Sequence, residues 1–132
     1  MKFTIVILGA PYTCEAAETA YRFTQAVLTK NHQIYRLFFY HDGVHNASAL
    51  ATLPQDEVQA TERWQKLIDK HQLDAIVCIA SALRRGVLNE REAKRYSKPA
   101  NNLLPGFELA GLGELVDASI HSDKLITFGP SA

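Results

Sequence analysis

The stretch DAIVCIASALRRG, residues 74–86, concentrates the residue types most able to do chemistry. Cys78 stands near the end of an apolar run that reads as a buried strand, and a parallel α/β sheet presents its chemistry at that edge. A thiol at a strand-to-helix junction has backbone N–H groups and a helix N-terminus beside it, and both favour the thiolate. The thiolate is the form that attacks sulfur or carbon. Ala80, Ser81 and Ala82 read as a small-residue turn, followed by the paired arginines Arg84 and Arg85, which add positive potential. Other readings stand beside this one. Cysteine is among the most buried residue types, so Cys78 can be a packing residue. The two arginines equally suit surface ion pairs with Glu90 or Glu92, or a subunit interface.

The second cysteine, Cys14, falls in the loop after the first strand, on the same edge of the sheet as Cys78. It reads as a second reactive thiol, a resolving thiol or an incidental loop residue. There is no CxxC and no Cys/His cluster at zinc spacing. His41 and His45 stand four apart, but Gly43 interrupts any helix between them, so no metal site is expected. The first loop, GAPYTCEA, lacks both GxGxxG and a P-loop, which argues against a nucleotide or flavin site. No cofactor is expected. Tyr12 and Tyr40 fall at strand ends, where they can wall a site or meet a partner, while Phe38, Phe39 and Trp64 read as core.

The elements that must position these residues follow from periodicity. β-branched apolar runs predict strands over 2–9, 33–40, 74–80 and 124–128, with a shorter one over 107–109. Helices are predicted over 15–30, 55–71, 89–96 and 112–122. Thr13 is the expected cap of the first helix and Asn89 that of the third. The first helix should turn Ala16, Ala20, Phe23, Ala26 and Val27 inward, the second Val58, Trp64, Leu67 and Ile68, and the last Leu115, Val116, Ala118 and Ser119. Residues 41–43 read as a turn, and 46–50 as an ambiguous short helix. Residues 83–88 read as a helical turn broken at Gly86. The alternation predicts an α/β fold, a three-layer α/β/α sandwich on a five-stranded, largely parallel sheet, as a single domain over 1–132.

Bulk composition narrows the functional classes. The chain has 132 residues, 47% apolar and 21% charged, in the range of an ordinary globular protein. Fourteen basic and fourteen acidic residues leave no basic excess, which disfavours strong direct nucleic-acid binding but allows a local basic patch. No run approaches the ~20 apolar residues of a membrane span, and the N-terminal run is too short for a signal peptide. A cytoplasmic location is the expectation.

Four segments together carry a resemblance. They are the first strand with its loop, FFY-x-x-GV at residues 38–44, C-x-A-x-A-L-R-R-G at 78–86, and G-L-G-x-L at 111–115. In this order the chain resembles the DsrE/DsrF/DsrH-like sulfurtransferase family end to end, and most closely its TusD-like members. The resemblance implies sulfur relay: a persulfide carried on Cys78, received from a TusA-like carrier and passed to a TusE-like carrier, for 2-thiolation of the tRNA wobble uridine. It implies paralogous TusB-like and TusC-like partners in a heterohexamer. It also leaves open a DsrE-like role in sulfur oxidation, or a non-catalytic scaffold subunit. Within that reading, the Ser81 hydroxyl or turn amides hold the persulfide anion, and Arg84 or Arg85 favours the thiolate.

Overall fold

The computed structural model describes residues 1–130 apart from Asp56 and Val58. Its elements are β1 Lys2–Ile7, α1 Ala16–Thr29, β2 Gln33–Phe39, a 3-10 helix at His41–Ala47, α2 Ala60–His71, β3 Ala75–Cys78, α3 Ile79–Arg84, α4 Glu90–Arg95, β4 Phe107–Ala110, α5 Gly113–His121 and β5 Lys124–Phe128. The sheet has the order β4-β3-β2-β1-β5, and every ladder is parallel.

The order dictates where the helices lie. From β1 to β4 the chain steps one strand at a time in one direction, so right-handed crossovers set α1, α2 and α3 on one face. The return from β4 to β5 crosses the whole sheet and sets α5 on the other. Strand residues then divide with period two. Ile5, Ile7, Leu37, Phe39 and Val77 pack with Ala20, Trp64 and Ile68 of α1 and α2. Val6, Phe38, Ile76 and Cys78 pack on the opposite side, with Leu115 of α5 against them. This is why the inner strands read as continuous apolar runs. Phe38, Phe39 and Trp64 are core residues, as expected. Trp64 meets Tyr21 and Phe39 edge-on, with ring centroids 5.2 and 5.3 Å away.

Several expectations are corrected. Thr13 does not cap α1; Glu15 stands at the cap with no side-chain bond. The buried residues of α1 are Ala17, Ala20, Thr24 and Val27, so its stripe is rotated from the predicted one and Ala26 faces solvent. Thr24 tolerates this because its hydroxyl donates to the Ala20 carbonyl at 2.8 Å. The second helix begins at Ala60 instead of residue 55, where the Tyr12 hydroxyl accepts the Ala60 amide at 2.8 Å. Val58, expected on its inner side, lies outside the described residues. In α5 only Ala118 is fully buried, and Val116 and Ser119 are exposed.

The turn expected at 41–43 is the start of the 3-10 helix, and the reason is a close approach. A Cβ on Gly43 would lie 1.9 Å from the Ile7 carbonyl oxygen, so only glycine lets this backbone lie on the end of β1. Asn46 secures the same junction, its side-chain amide donating to the carbonyls of Gly9 at 3.0 Å and Gly43 at 2.9 Å.

Arg36, mostly covered in β2, ties the second layer to the sheet. Its guanidinium reaches Asp74 at 2.7 Å, Asp117 at 3.0 Å and the Glu114 carbonyl at 2.7 Å. The Asp117 carboxyl is held below the ordinary aspartate range, first by the Tyr35 hydroxyl and then by Arg36. A depressed folded-state value stabilises the fold above the unfolded value, and that stability is lost as pH falls through the folded one. Asp117→Asn is therefore expected to lower the melting temperature at neutral pH, with the gap to wild type closing as pH drops below the aspartate range. A gap that persists unchanged into acid contradicts this. Gly43→Ala is expected to cost about 3 kcal/mol in urea unfolding, because the obstacle is backbone; a loss near zero would show that the 3-10 helix shifts freely.

Candidate functional site

Cys78 is the last residue of β3, paired in register with Ala110 of β4. The strand was expected to run to Ala80 and then turn. Instead α3 starts at Ile79, and Cys78 itself is the extended N-cap residue, with φ −60° and ψ 119°. Ala80, Ser81 and Ala82 are helical, not a turn. Small side chains permit this, because Ser81 and Ala82 must bury at the strand end. The first-turn amides of a helix have no acceptor within it, and those of the second and third positions face the cap side chain. Here those amides belong to Ala80 and Ser81, and the side chain is a thiol that makes no hydrogen bond to them. It is free and 2% exposed, enclosed by Val6, Phe38 and Ile76 with Leu8, Tyr40, Ala110 and Leu115 around them.

The predicted supporting residues separate into two groups. Ser81 is buried, and its hydroxyl accepts the His41 amide at 3.2 Å. Arg85 donates to Asp42 at 2.8 Å and to the Ser81 carbonyl at 3.2 Å. The Arg85 hydrogen bond holds the Asp42 carboxyl below its ordinary range. Both residues thus fasten α3 to the 3-10 helix. Arg84 points elsewhere. It is exposed and lines a cavity with Leu83, Gly86, Leu88, Tyr96 and Lys98. Neither arginine meets the acids weighed from sequence: Glu90 takes Lys94 at 3.2 Å, and Glu92 takes Arg95 at 3.8 Å. Asp42 was not anticipated as a partner, and nothing local signals it, since 43 positions separate it from Arg85.

Gly86 ends α3 as expected. Its φ of 73° allows the Val87 amide to reach back to the Ala82 carbonyl at 2.9 Å. Asn89 caps α4 as expected, its side-chain oxygen accepting the Glu92 amide at 2.9 Å.

Cys14 lies apart, in the loop between β1 and α1 and on the α1 and α2 side of the sheet, whereas the Cys78 thiol faces α5. Cys14 is half-buried, on a cavity of about 370 Å³ shared with Tyr12, Glu18, Tyr21, Arg63 and Trp64. Arg63 grips Glu18 through two nitrogens at 3.0 and 3.1 Å and lies 4.2 Å over the Tyr21 ring. Its hydrogen bond holds the Glu18 carboxyl below the ordinary range. Tyr40 packs edge-on against Phe38 and walls the Cys78 enclosure, one of the two places expected for it. His41 lies over the Tyr40 ring at 4.1 Å and is exposed.

Comparison with known proteins agrees with the fold. Residues 1–128 match the DsrE/DsrF-like family. The chain is 50% identical to the sulfurtransferase TusD homolog of Pseudomonas aeruginosa, across 98% of each protein. It is 47% identical to the DsrE protein of Allochromatium vinosum, covering 98% of this chain and 99% of that one. It is 41% identical to the sulfurtransferase TusD of Klebsiella pneumoniae, covering 97% of this chain and all of the relative. The crystal structure of the ychN protein from E. coli shares the fold, with a TM-score of 0.74 over 97% of this chain and 99% of that one, at 24% identity. The chain belongs to the DsrE/DsrF-like family.

Proposed function

We propose that this chain is a sulfur-relay sulfurtransferase that carries a persulfide on Cys78. One observation carries the reading: the thiol sits where β3 ends and α3 begins, beside amides that the helix leaves unspent. In the first step the Cys78 thiolate attacks the outer sulfur of a donor cysteine persulfide. A new S–S bond forms, the donor's S–S bond breaks, and the donor leaves as a thiolate. In the second step an acceptor thiolate attacks the outer sulfur now on Cys78, and Cys78 leaves as a thiolate. Sulfur moves without net oxidation, and no cofactor takes part.

The amides of Ala80 and Ser81 support the persulfide anion. The Ser81 hydroxyl accepts the His41 amide and keeps its own proton to donate. Arg85, neutralised by Asp42, acts by holding α3 in place. Burial of the thiol protects the carried sulfur from water between transfers, and the cover of Leu8, Tyr40 and Leu115 has to open during each.

The resemblance to TusD-like proteins supplies the finer reading. The donor is a TusA-like carrier, the acceptor a TusE-like carrier, and the product 2-thiolated wobble uridine in tRNA. TusB-like and TusC-like subunits complete a heterohexamer in the cytoplasm. The identity to the Allochromatium vinosum DsrE protein favours one second reading, a DsrE-like subunit in sulfur oxidation. Restoration of 2-thiouridine in tRNA of a strain lacking TusD separates the two.

Incubation with a small-molecule persulfide donor is expected to add the mass of one sulfur atom to wild type and to Cys14→Ser, and to leave Cys78→Ser unchanged. Loss of the added mass in Cys14→Ser instead would move the carrier role to Cys14. The enclosure makes a second prediction. In the native chain, alkylation is expected to reach Cys14 before Cys78, and Leu115→Ala is expected to speed Cys78 alkylation several-fold without changing Cys14. Equal rates at Cys78 in wild type and variant would show that Leu115 is no part of the cover.

A further inference from the structure

The chain is neutral only in sum. The segment from Arg84 to Lys98 holds six of the fourteen basic residues and two of the fourteen acidic ones. That leaves eight basic residues against twelve acidic ones in the remainder. The sulfur-relay reading uses Arg85 of this segment and none of the other cations.

The fold gathers part of this charge around one hollow. α3 and α4 end alike. Gly86, with φ 73°, lets the Val87 amide return to the Ala82 carbonyl, and Ser97, with φ 54°, lets the Lys98 amide return to the Ala93 carbonyl at 2.8 Å. These two reversals bring Arg84 and Lys98 to the rim of a cavity of about 630 Å³ lined by Leu83, Leu88 and Tyr96. Arg85, Lys94 and Arg95 of the same segment are paired with Asp42, Glu90 and Glu92. Among the described residues, Arg84 and Lys98 have no carboxylate within ion-pair distance.

We propose that this cavity docks an acidic segment of a partner protein, with carboxylates on Arg84 and Lys98 and an apolar side chain over Leu83, Leu88 and Tyr96. Charge-assisted bonds at the rim would fix register, and a filled apolar floor would supply affinity. A polypeptide suits the surface better than RNA does. Two leucines line the cavity, and its exposed aromatic ring, Tyr96, already carries the Arg95 guanidinium 5.5 Å from its centre. Beyond the patch the remainder of the chain is acidic, which repels a polyanion running past it. The inference rests on the relay reading and deepens it, because Cys78 and Arg84 mark the two ends of α3. Six helical residues separate them by about 9 Å. A carrier held at this cavity therefore presents its cysteine close to the thiol that must receive or release sulfur.

The probe is a short fluorescein-labelled peptide alternating glutamate and leucine, titrated against the full-length chain by anisotropy. Its controls are a glutamine–leucine peptide, a glutamate–glycine peptide and a single-stranded RNA of equal charge. The expected result is salt-sensitive binding of the first peptide, weakened about tenfold by Lys98→Glu and further by the Arg84→Glu/Lys98→Glu double variant. Each control should bind more weakly. Sulfur loading of Cys78 from a small-molecule donor is expected to be unchanged in Lys98→Glu. Absence of peptide binding, equal binding by the double variant, or tighter binding of the RNA overturns the proposal. Failure of wild type to load sulfur overturns the relay reading instead, and the peptide titration is independent of it.

Discussion

A helix begins on the residue where β3 stops, and that junction is held from behind by the 3-10 helix. Gly43 lets the 3-10 backbone lie on the Ile7 carbonyl, and Asn46 bonds the Gly9 carbonyl from the same helix. The Ser81 hydroxyl then accepts the His41 amide, and Arg85 spans Asp42 and the Ser81 carbonyl. The end of β1, the 3-10 helix and α3 therefore form one braced series of short contacts. The thiol at its end has little freedom to wander, and a group that must exchange one sulfur for another gains from fixed geometry.

The two faces of the sheet are covered unequally. α1, α2 and α3 share one face, whereas α5 works nearly alone on the other. A single helix is about 10 Å across, less than the roughly 19 Å width of five strands. Leu125 of β5 stays exposed, and Leu112, Val116 and Ile120 form an exposed apolar stripe along α5 itself, with Ile120 at 70%. The thiol lies in the thinner layer, where enclosure depends on a few half-buried side chains. Arg36 compensates by tying α5 to β2 and to the start of β3 through charged hydrogen bonds. Polar bonding does there what broad apolar contact does on the other face.

Much of the architecture was legible because burial on both faces leaves an unmistakable run of apolar residues. Lys2–Ile7, Gln33–Phe39 and Lys124–Phe128 fall inside or on the predicted spans. The Asn89 cap and the Gly86 break were legible because they are local: a side chain meeting an amide three residues on, and a residue free to take positive φ. Errors came where distant contacts choose between local options. Ala80–Ser81–Ala82 suits a turn or a helix equally, and the 3-10 helix packed against Ser81 decides for the helix. The start of α2 is set by a hydroxyl 48 positions away, on Tyr12.

For the candidate site, residue type and strand pattern alone put Cys78 at the carboxyl edge of a parallel sheet, since both are properties of a few neighbouring residues. Whether that sulfur is open or enclosed was decided only by packing, because Leu115 and Tyr40 reach it from other parts of the chain. The pair Arg84 and Arg85 looks like one feature in the sequence and becomes two in the fold. Successive residues on a helix point about 100° apart, so one arginine turns to Asp42 and the other to the cavity beside Lys98.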